Sequence, residues 1–92
     1  MNRIERIRKG LEAAFAPADL ELVDESHRHV GHAGAADGRG HFRVKIVSPR
    51  FDGLTLVARH RAVYEALGEL MRTDIHALSI DARAPDEYAH GN

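Results

Sequence analysis

In the stretch HFRVKIVSPRFDGLTLVARHRAVYEALGELM, residues 41–71, apolar residues recur first with the spacing of a strand and then with the spacing of a helix. In its first part Phe42, Val44 and Ile46 alternate with polar side chains, a pattern typical of a strand that is buried on one face. After the turn SPRFDG, apolar side chains recur every three or four positions, which predicts a long helix. This helical stripe consists of Leu56, Val57, His60, Val63, Tyr64, Leu67, Leu70 and Met71. With the segments on either side of it, this stretch predicts three strands with helices on one face, which is an α+β architecture.

The segments on either side of this stretch supply the remaining elements. Upstream, the apolar spacing predicts an amphipathic first helix that ends near Phe15, because Pro17 disfavours the helical conformation at the residue before it. The stretch DLELVDES predicts a strand whose better-buried face carries Leu20 and Leu22. Downstream, HALSIDARAP predicts a third strand, and Pro85 begins a short turn or helix. One face of that strand carries Leu78, Ile80 and Ala82.

The expected order of elements is α-β-β-α-β-α, with a small three-stranded sheet and the helices on one face. The first two strands are expected to pair as a hairpin. The third strand, reached through the long helix, is expected to run parallel to one neighbour by a right-handed crossover. The 92 residues are expected to form a single domain. Within it, residues 29–40 are expected to be a flexible loop rich in histidine and glycine, and residues 86–92 a polar tail.

Composition narrows the classes of function. The chain has 43% hydrophobic and 29% charged residues, which is typical of a globular protein, and its net charge of −1 counts against a strong nonspecific nucleic-acid binder. No apolar run approaches the ~18 residues of a membrane span. The first ten residues lack the apolar block of a signal peptide, so a cytoplasmic location is expected. A nucleophile elbow, a phosphate-binding glycine loop and an HExxH motif are all missing from the sequence, which favours a non-enzymatic role.

Histidine is the residue type that suggests chemistry, since four of the seven histidines lie in residues 25–42 and the chain has no cysteine. His27, His29 and His32 could offer neutral imidazoles to zinc or iron, and His41 ends the same loop. If the first two strands pair, His29 and His41 approach one another across the hairpin. The alternative is a set of exposed surface histidines, and spacing alone leaves both interpretations open.

Two further histidines also have a structural and a functional interpretation. His76 begins the third strand, where its parity with the apolar face favours burial and its position at a strand end favours exposure. His60 lies on the helical stripe between Arg59 and Arg61, which are expected to turn away from it. Either His60 is a core-edge histidine beside solvated arginines, or these arginines, with Arg50, contact phosphate or a partner. Solubilising charge is the expected role of Asp81, Asp86 and Glu87.

Four segments together resemble the BolA family: ESHRH, HFRVKIVS, FDGLTLVARHRAVYEALGELM and IHALSIDARAP, which extend over nearly the whole chain. The resemblance implies a fold like the type II KH domain and a protein that pairs with monothiol glutaredoxins. In such pairs a 2Fe-2S cluster is shared, with thiolates from the glutaredoxin cysteine and from glutathione. The ligands that the resemblance implies for this chain are His76 and a loop histidine, best matched by His29, with His41 as a nearby competitor.

The resemblance also implies a second function, DNA binding in the transcriptional control of cell shape and stress genes. The glycine loop by which KH domains hold a nucleotide backbone is not found at the turn SPRFDG, which offers one glycine. A plain adaptor domain is a third interpretation. For the chain alone, a monomer or weak homodimer without a bound cofactor is expected. A local basic face remains available for nucleic acid, built from Arg43, Lys45, Arg50, Arg59 and Arg61.

Overall fold

The computed structural model describes residues 2–26 and 39–90. Its helices are α1 (Arg3–Phe15), α2 (Leu56–Leu67), α3 (Leu70–Thr73) and α4 (Pro85–His90), and its strands are β1 (Asp19–Asp24), β2 (Gly40–Val47) and β3 (Ile75–Arg83). A short 3-10 turn, Pro49–Phe51, follows β2. Within these described ranges, no helix has the length and apolar character needed to cross a membrane. The predicted loop at 29–40 lies outside the described residues except for its last two positions.

The three strands form one mixed sheet in the order β1-β2-β3. β1 runs antiparallel to β2, with Leu22 opposite Val44, and β3 runs parallel to β2, with Ile80 opposite the same Val44. Both predicted pairings are therefore confirmed, the hairpin of the first two strands and the parallel crossover through the helices. β2 is the central strand, and both β1 and β3 are hydrogen-bonded to it.

The core lies between one face of this sheet and the helices. Phe42, Val44 and Ile46 of β2 are buried, as their alternation predicts. The same cluster contains Ile7, Leu11, Phe15, Phe51, Val63, Leu67, Ile75 and Ala82. On the opposite face of β2, Lys45 pairs with Glu21 of β1 over 3.5 Å. One face of the sheet is thus covered by helices, and the other is lined by charged side chains.

The long helix predicted after the turn breaks at Gly68, which is a correction to the prediction. Gly68 has φ 51° and ψ −121°, a conformation that residues with a Cβ rarely adopt. Its N–H donates to the carbonyl oxygen of Tyr64 and closes α2. Leu70 and Met71 then belong to the separate turn α3. The apolar spacing continues across the break, so periodicity alone does not locate it.

The predicted apolar stripe of α2 is also rotated. Leu56 is 68% exposed and Val57 is 60% exposed, and Tyr64 is exposed as well. The residues that α2 buries are four apart and therefore share one face of the helix. They are Arg59, Val63 and Leu67. The prediction places the buried face incorrectly because it takes Arg59 to be exposed. In the structure Arg59 is buried on the same face as Val63 and Leu67.

Candidate functional site

The parallel pairing of β2 and β3 brings His41 and His76 together where both strands begin. Gly40 lies opposite Ile75 and His41 lies opposite Ala77, so the register shifts and His76 is the additional residue of a bulge. The centroids of the two imidazole rings are 5.1 Å apart, and the ring planes are inclined by 45°. His76 is exposed and His41 is half-buried. The pair therefore brings two imidazole rings together, of which the His76 ring is exposed.

Hydrogen bonds fix the backbone beside this pair. The Gly40 N–H donates to the Asp74 carbonyl oxygen over 2.9 Å, and the His41 N–H donates to Ser26 Oγ over 3.1 Å. Glycine is required at position 40, because a Cβ there would lie 2.6 Å from Ser26 Oγ and 2.8 Å from the Phe42 ring. The start of β2 is thus held between the end of β1 and the start of β3.

The turn in front of β3 is fixed by the buried carboxylate of Asp74. This carboxylate accepts hydrogen bonds from the Arg6 guanidinium, from the Thr73 hydroxyl over 2.5 Å and from Arg3 Nε over 3.3 Å. The bond from Arg6, and after it those from Thr73 and Arg3, lower the pKa of Asp74 to about 2. Helix α1 is thereby tied to the junction from which β3 and His76 start.

Arg39, immediately before β2, contacts His76. Its Nη2 atom lies 3.4 Å from Nδ1 of the imidazole. Sequence reasoning missed this residue, because a single arginine between two glycines carries no periodic signal. The contact arises from the β2–β3 register, which places the end of the loop next to the first residues of β3.

Among the other predicted site residues, those that the structure describes do not join the histidine pair. His29 lies outside the described residues, as do the other two histidines of its loop. His60 is half-buried on α2, and Arg61 on the same helix is exposed. Arg50 is exposed in the 3-10 turn. His60, Arg61 and Arg50 thus lie on α2 and the turn before it, toward the end of β3 that is far from His76.

Arg59 is buried, which corrects the expectation that it turns away into solvent. Its Nε donates to the Leu54 carbonyl over 2.9 Å, and its Nη1 donates to the Ala82 carbonyl over 3.1 Å. Its two terminal nitrogens also bind the Glu87 carboxylate, at 2.5 and 2.8 Å. The hydrogen bonds with Arg59 and Ala84 lower the pKa of Glu87 to about 2, and the bond to Glu87 raises the pKa of Arg59. These partners replace the water that burial removes from the guanidinium.

The expectation that Glu87 only adds solubilising charge is therefore wrong. Glu87 also accepts a hydrogen bond from the Ala84 N–H over 3.0 Å. With Pro85 at the first helical position, this bond is one half of a capping box at the start of α4, since Ala84 has no side-chain acceptor for the reciprocal bond. The sequence APDE contains a signal for this cap, whereas no local pattern predicts the pairing with Arg59.

The chain matches the family described as BolA-like protein over residues 11–87. It belongs to the BolA family. One relative of this BolA chain, the chloroplastic protein BOLA1 of Arabidopsis thaliana, is 46% identical over 89 residues, which cover 94% of this chain and 56% of that protein. The DNA-binding transcriptional regulator BolA of Escherichia coli is 47% identical over 84 residues, which cover 91% of this chain and 77% of that one.

Solved BolA structures have the same architecture. The BolA domain of SufE1 from Arabidopsis thaliana superposes with a TM-score of 0.83 at 42% identity, and the match covers 95% of this chain and 96% of that one. The predicted α+β fold and the resemblance to the BolA family are both confirmed. Against full-length chloroplastic BOLA1, the chain spans little more than half of the relative's length.

This BolA chain offers imidazoles but no thiolate, since its sequence has no cysteine. Within 2–26 and 39–90, no three histidine, aspartate or glutamate side chains are grouped so that they could hold a metal ion. His41 and His76 supply two nitrogens of a kind that suits iron when thiolates complete the coordination. The Nε2 atom of His41 is shielded from solvent, so ligation through it requires the ring to turn. Among the described residues, this pair therefore supplies nitrogen ligands only, and any thiolate ligand would have to come from another molecule.

Proposed function

We propose that this BolA protein is a non-enzymatic partner of a monothiol glutaredoxin in the assembly, transfer or sensing of iron-sulfur clusters. The observation that carries the proposal is the 5.1 Å approach of the His41 and His76 rings where β2 and β3 begin. Two adjacent imidazoles, with no third ligand grouped beside them in the described residues, suit a cluster whose thiolates come from a partner.

His76 is the first ligand in this proposal, because it is exposed and lies in a strand at the edge of the sheet, where a partner can approach. The second ligand is either His41 or His29. The strand register favours His41 and the family resemblance favours His29, and substitutions at the two positions distinguish them. A 2Fe-2S cluster bound here would supply electron transfer, or iron and sulfide for delivery.

An imidazole ligand differs from a thiolate in charge and in its competition with protons. A neutral imidazole adds no negative charge to the site, and it must stay unprotonated to bind a metal. Histidine ligation also raises the reduction potential of a cluster relative to ligation by cysteine alone. His76 and its companion are therefore suited to a site that releases or senses a cluster.

The experiment mixes the protein with 2Fe-2S-loaded monothiol glutaredoxin and glutathione and records visible absorption and circular dichroism. We expect the spectra to change on mixing, because imidazole replaces a ligand on iron, and we expect His76→Ala to abolish the change. His41→Ala and His29→Ala identify the second ligand. His60→Ala, on α2, is the matched control and should leave the change intact. Identical spectra before and after mixing, or no effect of His76→Ala, would reject the proposal.

DNA binding is a second candidate function. A relative that is 47% identical carries the name DNA-binding transcriptional regulator, and Arg50 and Arg61 are exposed near the start of α2. Arg59, which the sequence places with them, already binds Glu87 and two carbonyl oxygens. The basic contact for phosphate therefore consists of Arg50 and Arg61, with His60 beside them.

A salt titration of DNA affinity tests this second function. Removing one arginine that contacts a phosphate should reduce the slope of log affinity against log salt by about 0.9. We expect this reduction for Arg50→Ala and for Arg61→Ala, but not for Arg72→Ala, an exposed arginine that pairs with Glu69. Equal slopes for all of these proteins would exclude a phosphate contact at Arg50 or Arg61.

A further inference from the structure

We infer that Arg39 is a positioning residue for His76. Its guanidinium covers the lone pair of His76 Nδ1 and sets the tautomer of the ring, and it must move aside before Nδ1 can bind a metal. The use of His76 as a ligand rests on the proposed function. The contact itself belongs to the metal-free chain and can be tested in the absence of glutaredoxin.

The identity of the two contacting atoms determines the state of the imidazole. Arg39 Nη2 lies 3.4 Å from His76 Nδ1. A guanidinium has N–H donors and no acceptor, so Nδ1 must be the acceptor in this contact. An imidazole that accepts a hydrogen bond at Nδ1 carries its proton on Nε2. In this arrangement neither ring nitrogen of His76 offers a lone pair to an incoming metal.

Backbone contacts keep Arg39 in reach of the ring. The next residue, Gly40, donates its N–H to the Asp74 carbonyl oxygen over 2.9 Å. The side chain of Asp74 is bound in turn by Arg6 of α1. Arg39 therefore stays within side-chain distance of His76 as long as β2 and β3 remain paired.

The contact is exposed and long, so a metal can displace it. When Nδ1 binds a metal, one N–H···N hydrogen bond breaks and one metal–nitrogen bond forms, while the proton remains on Nε2. The ring has no proton to release, because Arg39 has already selected the tautomer that binds through Nδ1. The displaced guanidinium then lies close to thiolate-bearing, anionic ligands and can pair with their charge.

Zn²⁺ is a suitable probe, since it binds imidazole without redox chemistry. The ring nitrogens of His76 are followed by long-range ¹H–¹⁵N NMR in protein labelled at histidine, first without metal and then during a Zn²⁺ titration. Without metal we expect an unprotonated Nδ1 and a protonated Nε2. Arg39→Ala should strengthen Zn²⁺ binding at His76 by about threefold or more, because the hydrogen bond from Arg39 then no longer competes with the metal for Nδ1.

Arg43→Ala is the matched control. Like Arg39→Ala, it removes one positive charge, but Arg43 lies within β2 and pairs with Glu25 over 3.0 Å. We expect it to change Zn²⁺ binding at His76 by less than about twofold. A proton on Nδ1 in the metal-free protein, or equal effects of Arg39→Ala and Arg43→Ala, overturns the inference. Failure of the proposed function is a separate outcome, seen as unchanged spectra on mixing with loaded glutaredoxin.

Discussion

At Arg59 a single side chain binds the carbonyl oxygens of Leu54 and Ala82 and the carboxylate of Glu87. We expect Arg59→Ala to lower the free energy of unfolding by about 2–4 kcal/mol, since it removes these bonds and leaves two carbonyl groups without their donor. Urea unfolding measures this loss as a lower transition midpoint at an unchanged slope.

Arg61→Ala is the comparison for this substitution, because Arg61 lies on the same helix and is exposed. Its effect on the free energy of unfolding should stay within about 0.5 kcal/mol. Similar losses for the two substitutions would mean that the buried hydrogen bonds of Arg59 contribute little to stability.

Asp74 makes stability depend on pH in the acid range. Its pKa is lowered from 3.8 to about 2, chiefly by the Arg6 hydrogen bond, so folding favours the ionised form. The resulting stabilisation is complete above about pH 5 and is lost as the pH falls toward 2. We expect Asp74→Asn to be less stable near neutral pH by about 1–2 kcal/mol, and to lose less stability on acidification than the parent protein.

Urea midpoints measured for both proteins between pH 7 and about pH 3 test this prediction. Glu87 also has a lowered pKa, so the parent protein loses stability in acid from more than one group. The informative quantity is therefore the difference between the two proteins. A difference that is constant over the whole range would show that Asp74 does not contribute to the acid response.

Individual site residues could be predicted from the sequence only where local rules apply. The position of His76 at the start of the third strand follows from the apolar alternation after it, and the Glu87 cap follows from its spacing to Pro85. The approach of His41 to His76 depends on a one-residue register shift at Gly40, which no local pattern encodes. The burial of Arg59 likewise depends on a carboxylate far away in the chain.

At the scale of elements, the break between α2 and α3 depends on Gly68. Because its φ of 51° and ψ of −121° are unfavourable for residues with a Cβ, we expect Gly68→Ala to cost about 1–3 kcal/mol. Gly10→Ala is the matched substitution, since Gly10 lies within α1 and its Cβ would meet Ala66 O and Leu67 Cδ2 at 3.6 Å, an ordinary contact. Gly10→Ala should be neutral or stabilising by up to about 1 kcal/mol.

Thermal or urea unfolding of the two alanine variants decides between two views of this segment. If Gly68→Ala is as well tolerated as Gly10→Ala, α2 and α3 can join into the continuous helix that periodicity predicts. The strands were more predictable than this helix, because their alternation reports burial directly. The spacing of apolar side chains continues through Gly68, but the backbone conformation of this glycine ends the helix.

At the scale of the whole molecule, the histidine pair and the Arg59–Glu87 pair lie toward opposite ends of β3. Ala82, which Arg59 contacts, is about 20 Å along the strand from His76. We expect the losses of stability caused by His76→Ala and Arg59→Ala to add within about 0.5 kcal/mol in the double variant. Urea unfolding of the two single variants and the double variant gives this comparison, and a larger deviation would mean that the two ends are coupled.

The parallel pairing of β2 with β3 has a consequence for the nascent chain. His41 is made early, whereas His76 follows two helices later, and parallel strands pair only after the chain between them has closed a long loop. During synthesis, the hairpin of β1 and β2 can form while the second imidazole has yet to be added. The two-histidine group therefore exists only after nearly the whole domain has been made, so a ribosome-bound fragment that ends before Ile75 presents His41 without its neighbour.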